Sequence, residues 1–127
     1  MDSKLAKEWF ESADSDFQYA EVGLKSEEVF PQVAFLSQQV VEKYLKGYLV
    51  FNGVKPTRVH ELPKLLDECV KVNSDLEKLR DACELPTGFY VETRYPPNIP
   101  EYTKEEIAKA FKNAKLVRKT VEVLIQV

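Results

Sequence analysis

The chain has 127 residues, 44% apolar and 31% charged, a balance that supplies one hydrophobic core and excludes a disordered chain. A formal net charge of −3 and a pI near 5.3 exclude attraction to nucleic acid or anionic membrane through the overall field. The stretch from Met1 to Asp16 lacks the apolar run of a secretory signal, and no segment approaches the about 18 continuous apolar residues of a membrane span, so a single cytoplasmic domain over residues 1–127 is expected.

Leu5, Trp9, Ala13, Phe17, Ala20 and Leu24 recur at steps of three and four, which predicts a helix from about Ser3 to Lys25 with these residues facing the core. Glu8, Glu11 and Asp14 are placed on its acidic outer side. Phe30-Pro31 interrupts, because proline disfavours helical geometry in the residue before it. A second helix starts near Pro31, a good first-turn residue, and stops at Asn52-Gly53, where glycine takes the left-handed cap. Val33, Leu36, Val40, Val41, Tyr44, Leu45, Tyr48 and Leu49 cover more than one stripe of it, which makes this helix the centre of the bundle. Its remaining polar strip is Gln39, Glu42, Lys43 and Lys46.

Val54 to Val59 reads as a short basic connector, and Pro63 confines the start of the third helix to the neighbourhood of His60. Leu62, Leu65, Leu66, Cys69 and Val70 form its buried face. Ser74 is the expected N-cap of a shorter helix running to about Glu84, with Leu76, Leu79, Ala82 and Cys83 inward. The two cysteines, Cys69 and Cys83, share no metal-ligand spacing and are expected as buried reduced thiols.

Leu85 to Tyr102 is a long irregular stretch rich in proline and aromatic residues, including Phe89, Tyr90, Tyr95 and Tyr102. Loops of this length are functional or disordered, and the aromatic content favours an ordered one. Thr103 and Glu106 then spell a capping box. Ile107, Phe111, Ala114, Val117, Val121, Leu124 and Ile125 continue a helical stripe. The fold class is therefore all-α: an antiparallel, up-and-down four-helix bundle with a short extra helix and an aromatic, proline-rich loop before the last helix.

Three places are candidates for chemistry. His60, the only histidine, is expected beside a helix N-terminus, where free N–H groups favour anions, and Lys55 and Arg58 are close in sequence. Together they suit a phosphate; the plain alternative is a capping His60 among solvated cations. Arg94, held between Thr93 and Tyr95-Pro96, has the planar fork that suits phosphate or carboxylate, and Tyr90 or Tyr95 is placed to stack on a base. Its plain alternative is pairing with a structural carboxylate such as Glu42. The strip containing Lys43 and Lys46 lines either a cleft or a subunit interface; otherwise it is a solvated face with Glu42–Lys46 pairing at i,i+4. No metal-spaced ligand set, Gly-rich phosphate loop or nucleophile elbow is present, so no metal and no cofactor are expected.

Trp9…Ala13-Asp14…Asp16-Phe17…Ala20, then Ala34-Phe35…Gln38-Gln39…Glu42-Lys43-Tyr44-Leu45-Lys46, His60…Leu62…Leu65-Leu66 and Tyr90 to Pro96 occur in an order and spacing over nearly the whole chain that resembles the HEPN (higher eukaryotes and prokaryotes nucleotide-binding) family. The resemblance implies a helical bundle that commonly dimerises, often encoded beside a minimal nucleotidyltransferase in toxin–antitoxin pairs. It implies nucleotide or RNA as ligand, a nucleotidyltransferase as protein partner, a homodimer, and no membrane. Some members of the family are metal-independent ribonucleases with an arginine four to six residues before a histidine. This chain lacks that spacing, since Arg58 precedes His60 by two positions and no histidine follows Arg94. A binding protein is thus expected ahead of a divergent ribonuclease toxin or a non-catalytic dimerisation and docking module.

Overall fold

The computed structural model describes residues 3–25, 30–56, 58, 61–84 and 103–126. Its elements are α1 (Ser3–Leu24), α2 (Phe30–Phe51), α3 (Leu62–Val72), a 3₁₀ helix (Ser74–Leu79), α4 (Arg80–Cys83) and α5 (Lys104–Ile125). The described residues form an all-helical bundle, and none of its helices is long and apolar enough to cross a membrane.

The sequence of α2 explains its central position. Val33, Val40, Leu45 and Leu49 are fully buried, Tyr44 and Val41 nearly so, and they point in more than one direction around the helix. Ala13, Phe17 and Ala20 of α1 cover one side, and Ile107, Ala114, Val117 and Val121 of α5 belong to the same core cluster. Helices α1 and α2 run antiparallel: Asp16 meets Lys43, Phe10 stacks on Tyr44, and Trp9 lies under Lys46. They pack tightly at Gly47, where an added Cβ would stand 2.5 Å from Phe10 Cε1.

The ends of the helices follow local chemistry. Gly53, at φ 78°, closes α2 in a Schellman motif, in which Val54 N–H donates to Leu49 O (2.8 Å) and Gly53 N–H to Val50 O (3.0 Å). The Thr103–Glu106 capping box forms as expected, with reciprocal bonds of 3.1 and 3.0 Å. Helix α3 starts at Leu62, with Glu61 as its N-cap and Pro63 in the first turn.

Four expectations need correction. Leu5 is 43% exposed and Trp9 half-buried, because the apolar stripe of α1 drifts off the core at its first turns. Asp14 is not on the outer face; it turns toward α5, as described below. Asn73, not Ser74, caps the segment after α3: its Oδ1 accepts from Asp75 N–H at 3.0 Å while its own N–H closes α3 on Cys69 O. That segment begins as a 3₁₀ helix before becoming α4. Arg80 ties it to α3 through Asp67 (2.7 Å) and the Pro63 carbonyl (3.1 Å), and is held within its own segment by Glu77 (2.7 Å).

Cys69 and Cys83 are free, fully buried thiols, and Cys69 Sγ–H donates to Leu45 O at 3.5 Å. Burial pushes both up to about 12 from the ordinary 9.0, with the neighbouring Cys83 adding to the effect at Cys69. The folded chain therefore keeps these protons where the unfolded chain has lost them. Their stabilisation is complete below pH 9.0 and is lost as pH rises toward 12, by about 1.4 kcal/mol per pH unit for each thiol. Urea unfolding at a series of alkaline pH values should show this decline, and Cys69→Ala should flatten it. An unchanged slope in that variant would count against the assignment.

Candidate functional site: the polar strip of α2

The polar strip predicted on α2 is not a solvated face. Glu42 and Lys46 are 7% and 6% exposed, while Gln39 and Lys43 are half-buried. Spacing along a helix accounts for their alignment, since positions 39, 42, 43 and 46 share one side. Helix α1 lies across that side and supplies partners. Lys43 Nζ stands 2.7 Å from Asp16 Oδ2 and donates to Ser12 Oγ at 2.8 Å. One turn on, Lys46 Nζ is 3.2 Å from Glu42 Oε2 and 5.8 Å from the centroid of the Trp9 ring. Trp9 and Ser12, with Leu5 and Glu8, line a cleft of about 250 Å³ on α1.

This arrangement constrains the chemistry. Each ammonium is already neutralised by a carboxylate, so an arriving phosphate would exchange partners with Asp16 or Glu42 rather than meet bare cations. A buried pair of this kind is held by geometry, and removing one member strands the other.

The remaining predicted residues divide into two groups. Lys55 and Arg58 are described and exposed, on the connector that follows α2. His60, Arg94, Tyr90 and Tyr95 lie outside the described residues, and with them the alternative pairing of Arg94 with Glu42. The N-terminus of α3 carries an acid of its own: Glu61 is the N-cap residue and pairs with Lys64 at 2.7 Å. That carboxylate weakens the attraction of the helix end for an anion. Among the described residues, no group of three or more His, Cys, Asp or Glu side chains is placed to hold a metal ion.

A second polar cluster was not foreseen. The hydroxyl of Tyr44 donates to Asp14 and lies 3.3 Å from Glu122 Oε1. Arg118 Nε donates to Asp14 at 3.0 Å and pairs with Glu122 at 3.4 Å, while its guanidinium covers the Phe17 ring at 4.6 Å. Burial first, then the hydrogen bond to Asp14 and the two carboxylate charges, raise the Tyr44 phenol far above its ordinary value. It stays a neutral donor throughout the physiological range. The three charged members remain about one-third exposed, so solvent screens their pairing. The cluster fastens α1, α2 and α5 to one another. Two signals pointed to it: a buried tyrosine needs a partner for its hydroxyl, and Arg118 and Glu122 stand one turn apart beside the buried Val117–Val121 stripe.

A family model described as HEPN domain matches residues 6–124. The chain is similar to the protein named "Putative toxin MJ1304" of Methanocaldococcus jannaschii, with 29% identity over 136 aligned positions covering 94% of this chain and 87% of the relative. Among solved structures it is similar to TT1696 from Thermus thermophilus, with a TM-score of 0.75, 28% identity and coverage of 93% and 96% of the two chains. It is also similar to ST0689, described as an archaeal HEPN homologue, with a TM-score of 0.65, 25% identity and coverage of 95% and 98%. Two corrected details, the Asn73 cap and the inward Asp14, leave the fold implied by the resemblance intact. By its sequence match over nearly the whole length and its agreement in fold, the chain belongs to the HEPN domain family.

Proposed function

We propose that this chain is one HEPN domain that binds a nucleotide or RNA, acting as a homodimer and as the partner of a minimal nucleotidyltransferase in a cytoplasmic toxin–antitoxin-like pair. The observation that carries this reading is the α2 strip, where Lys43 and Lys46 are held in fixed positions beside Trp9 and Ser12 on the most buried helix of a HEPN bundle. Burying charged side chains is costly unless they are paired, as these are, and a central helix that keeps such pairs in place of apolar residues supports a binding role for that side. The name of the archaeal relative supports the toxin component of the reading.

In this reading His60, with Lys55 and Arg58, contacts one phosphate, Arg94 contacts a second, and Tyr90 or Tyr95 stacks on the base. Lys43 and Lys46 complete the cationic wall by exchanging partners. Calorimetric titration with ATP and with a short single-stranded RNA, with and without the nucleotidyltransferase, should give saturable binding. His60→Ala and Arg94→Ala should each weaken it about tenfold or more, the loss of one charge-assisted hydrogen bond. Absence of binding to every nucleotide and RNA under all these conditions would remove the reading.

The name of the relative also favours a second reading, a divergent ribonuclease toxin. Growth arrest on expression, with RNA cleavage abolished in His60→Ala, would select it over the first. If both variants instead lose only stability, a docking module is left.

A further inference from the structure

Where α5 passes the 3₁₀ helix, a groove of about 370 Å³ opens on the outside of the bundle, away from the Trp9 cleft. Leu76 and Leu124 form its floor, and Leu116 and Val123 stand on its α5 wall at 47% and 62% exposure. Leu116, Thr120 and Val123 follow one another at steps of four and three, the spacing of a helix seam that lacks its partner. Seven residues separate Leu116 from Val123, which puts them about 10 Å apart along the axis.

The rim is basic. Lys78 lies on the 3₁₀ side and Lys119 on the α5 side, and the one carboxylate lining the groove is Asp75, three positions before Lys78 on the 3₁₀ side. Lys112 is seven positions before Lys119 and shares its flank of α5; Lys115 is beside them, and all three are exposed. No ion pair between described residues engages Lys78, Lys112, Lys115 or Lys119. In a chain whose net charge is −3, this is a local reversal of sign.

From this combination we infer that the groove is a docking site for an acidic amphipathic helix of a partner protein. The occupant carries apolar residues at i, i+3 or i+4, and i+7 to fill the Leu116–Val123 seam, flanked by Asp or Glu facing Lys78 and Lys119. The apolar seam gives such a segment its register and the lysines give it its preference among helices. A nucleic-acid strand would use the lysines but leave Leu116 and Val123 uncovered, so the apolar wall argues for protein over RNA.

The test uses the full-length chain, isotopically labelled, and three synthetic helices of about 18 residues, long enough to hold helical structure. One has leucines at the stated spacing between glutamates, one is its scramble, and one has lysines in place of the glutamates. Amide shifts on adding the first peptide should concentrate at 74–78 and 112–124, and the other two should bind about tenfold or more weakly. The exposed double substitution Lys78→Glu/Lys119→Glu should reverse the order of the acidic and lysine peptides, with circular dichroism confirming an unchanged fold. Equal binding of the scramble, shifts centred elsewhere, no shift at all, or no reversal in the variant would overturn the assignment. So would a single-stranded RNA that perturbs the same amides more strongly than the acidic peptide.

Discussion

Glu42→Leu should lower the stability of the protein by about 3–5 kcal/mol, seen as a fall in Tm of roughly 10–20 °C. The cause is the group left behind. Lys46 is 6% exposed, its ammonium stands 3.2 Å from the Glu42 carboxylate, and the Trp9 ring, 5.8 Å away, returns only part of what is lost. Removing the carboxylate leaves a positive charge that must either stay desolvated or drag its chain out of the bundle. Adding Lys46→Met removes that charge, so the double variant should be more stable than the sum of the singles by about 1–3 kcal/mol. Chemical denaturation of the four proteins in the cycle measures this coupling. Simple additivity would mean that the two side chains do not support one another in solution.

The second large effect is expected at Gly47. Alanine is the better helix former by up to about 1 kcal/mol, so propensity alone predicts a gain. Packing reverses the sign. The new methyl would meet Phe10 Cε1 at 2.5 Å and Cδ1 at 2.9 Å, and the ring is held in place by its stacking on Tyr44 at a centroid separation of 5.3 Å. Overpacking of this kind should leave Gly47→Ala about 2 kcal/mol less stable than the parent, and a leucine there should prevent α1 from seating at all. Pairing Gly47→Ala with Phe10→Leu should restore part of the loss. A Gly47→Ala variant that melts above the parent would show that α1 and α2 are further apart than described.

Most of the scaffold was legible because helices announce themselves locally. The stripe Ile107–Phe111–Ala114–Val117–Val121 and the Thr103–Glu106 box need only neighbouring residues to be read, and both formed as written. Gly53 likewise declares its left-handed cap from its position after Asn52. The misreadings have a common origin in contacts between distant segments. Asp14 looks like a surface acid until Arg118, 104 positions later, is brought beside it. Glu42 and Lys46 look like an exposed i,i+4 pair until α1 covers them. Asn73 and Ser74 are both good caps, and the backbone of Asn73 itself, extended at φ −147° while Ser74 is already in the 3₁₀ helix, decides between them. For the candidate site, residue type suggested Lys43 and Lys46, but only tertiary packing supplies Asp16, Ser12 and Trp9 as their neighbours.

The bond between Arg118 and Asp14 also sets an order of events during translation. At ordinary synthesis speeds of about 5–20 residues per second, roughly 5–20 s pass between the ribosome adding the first of these residues and adding the second. Within that interval α1 and α2 emerge and can pair as a hairpin, yet Tyr44 still has no Glu122 and Phe17 no Phe111 to rest on. The nascent chain therefore carries an apolar, half-finished flank until α5 follows, so the last helix to be made is the one that closes the core.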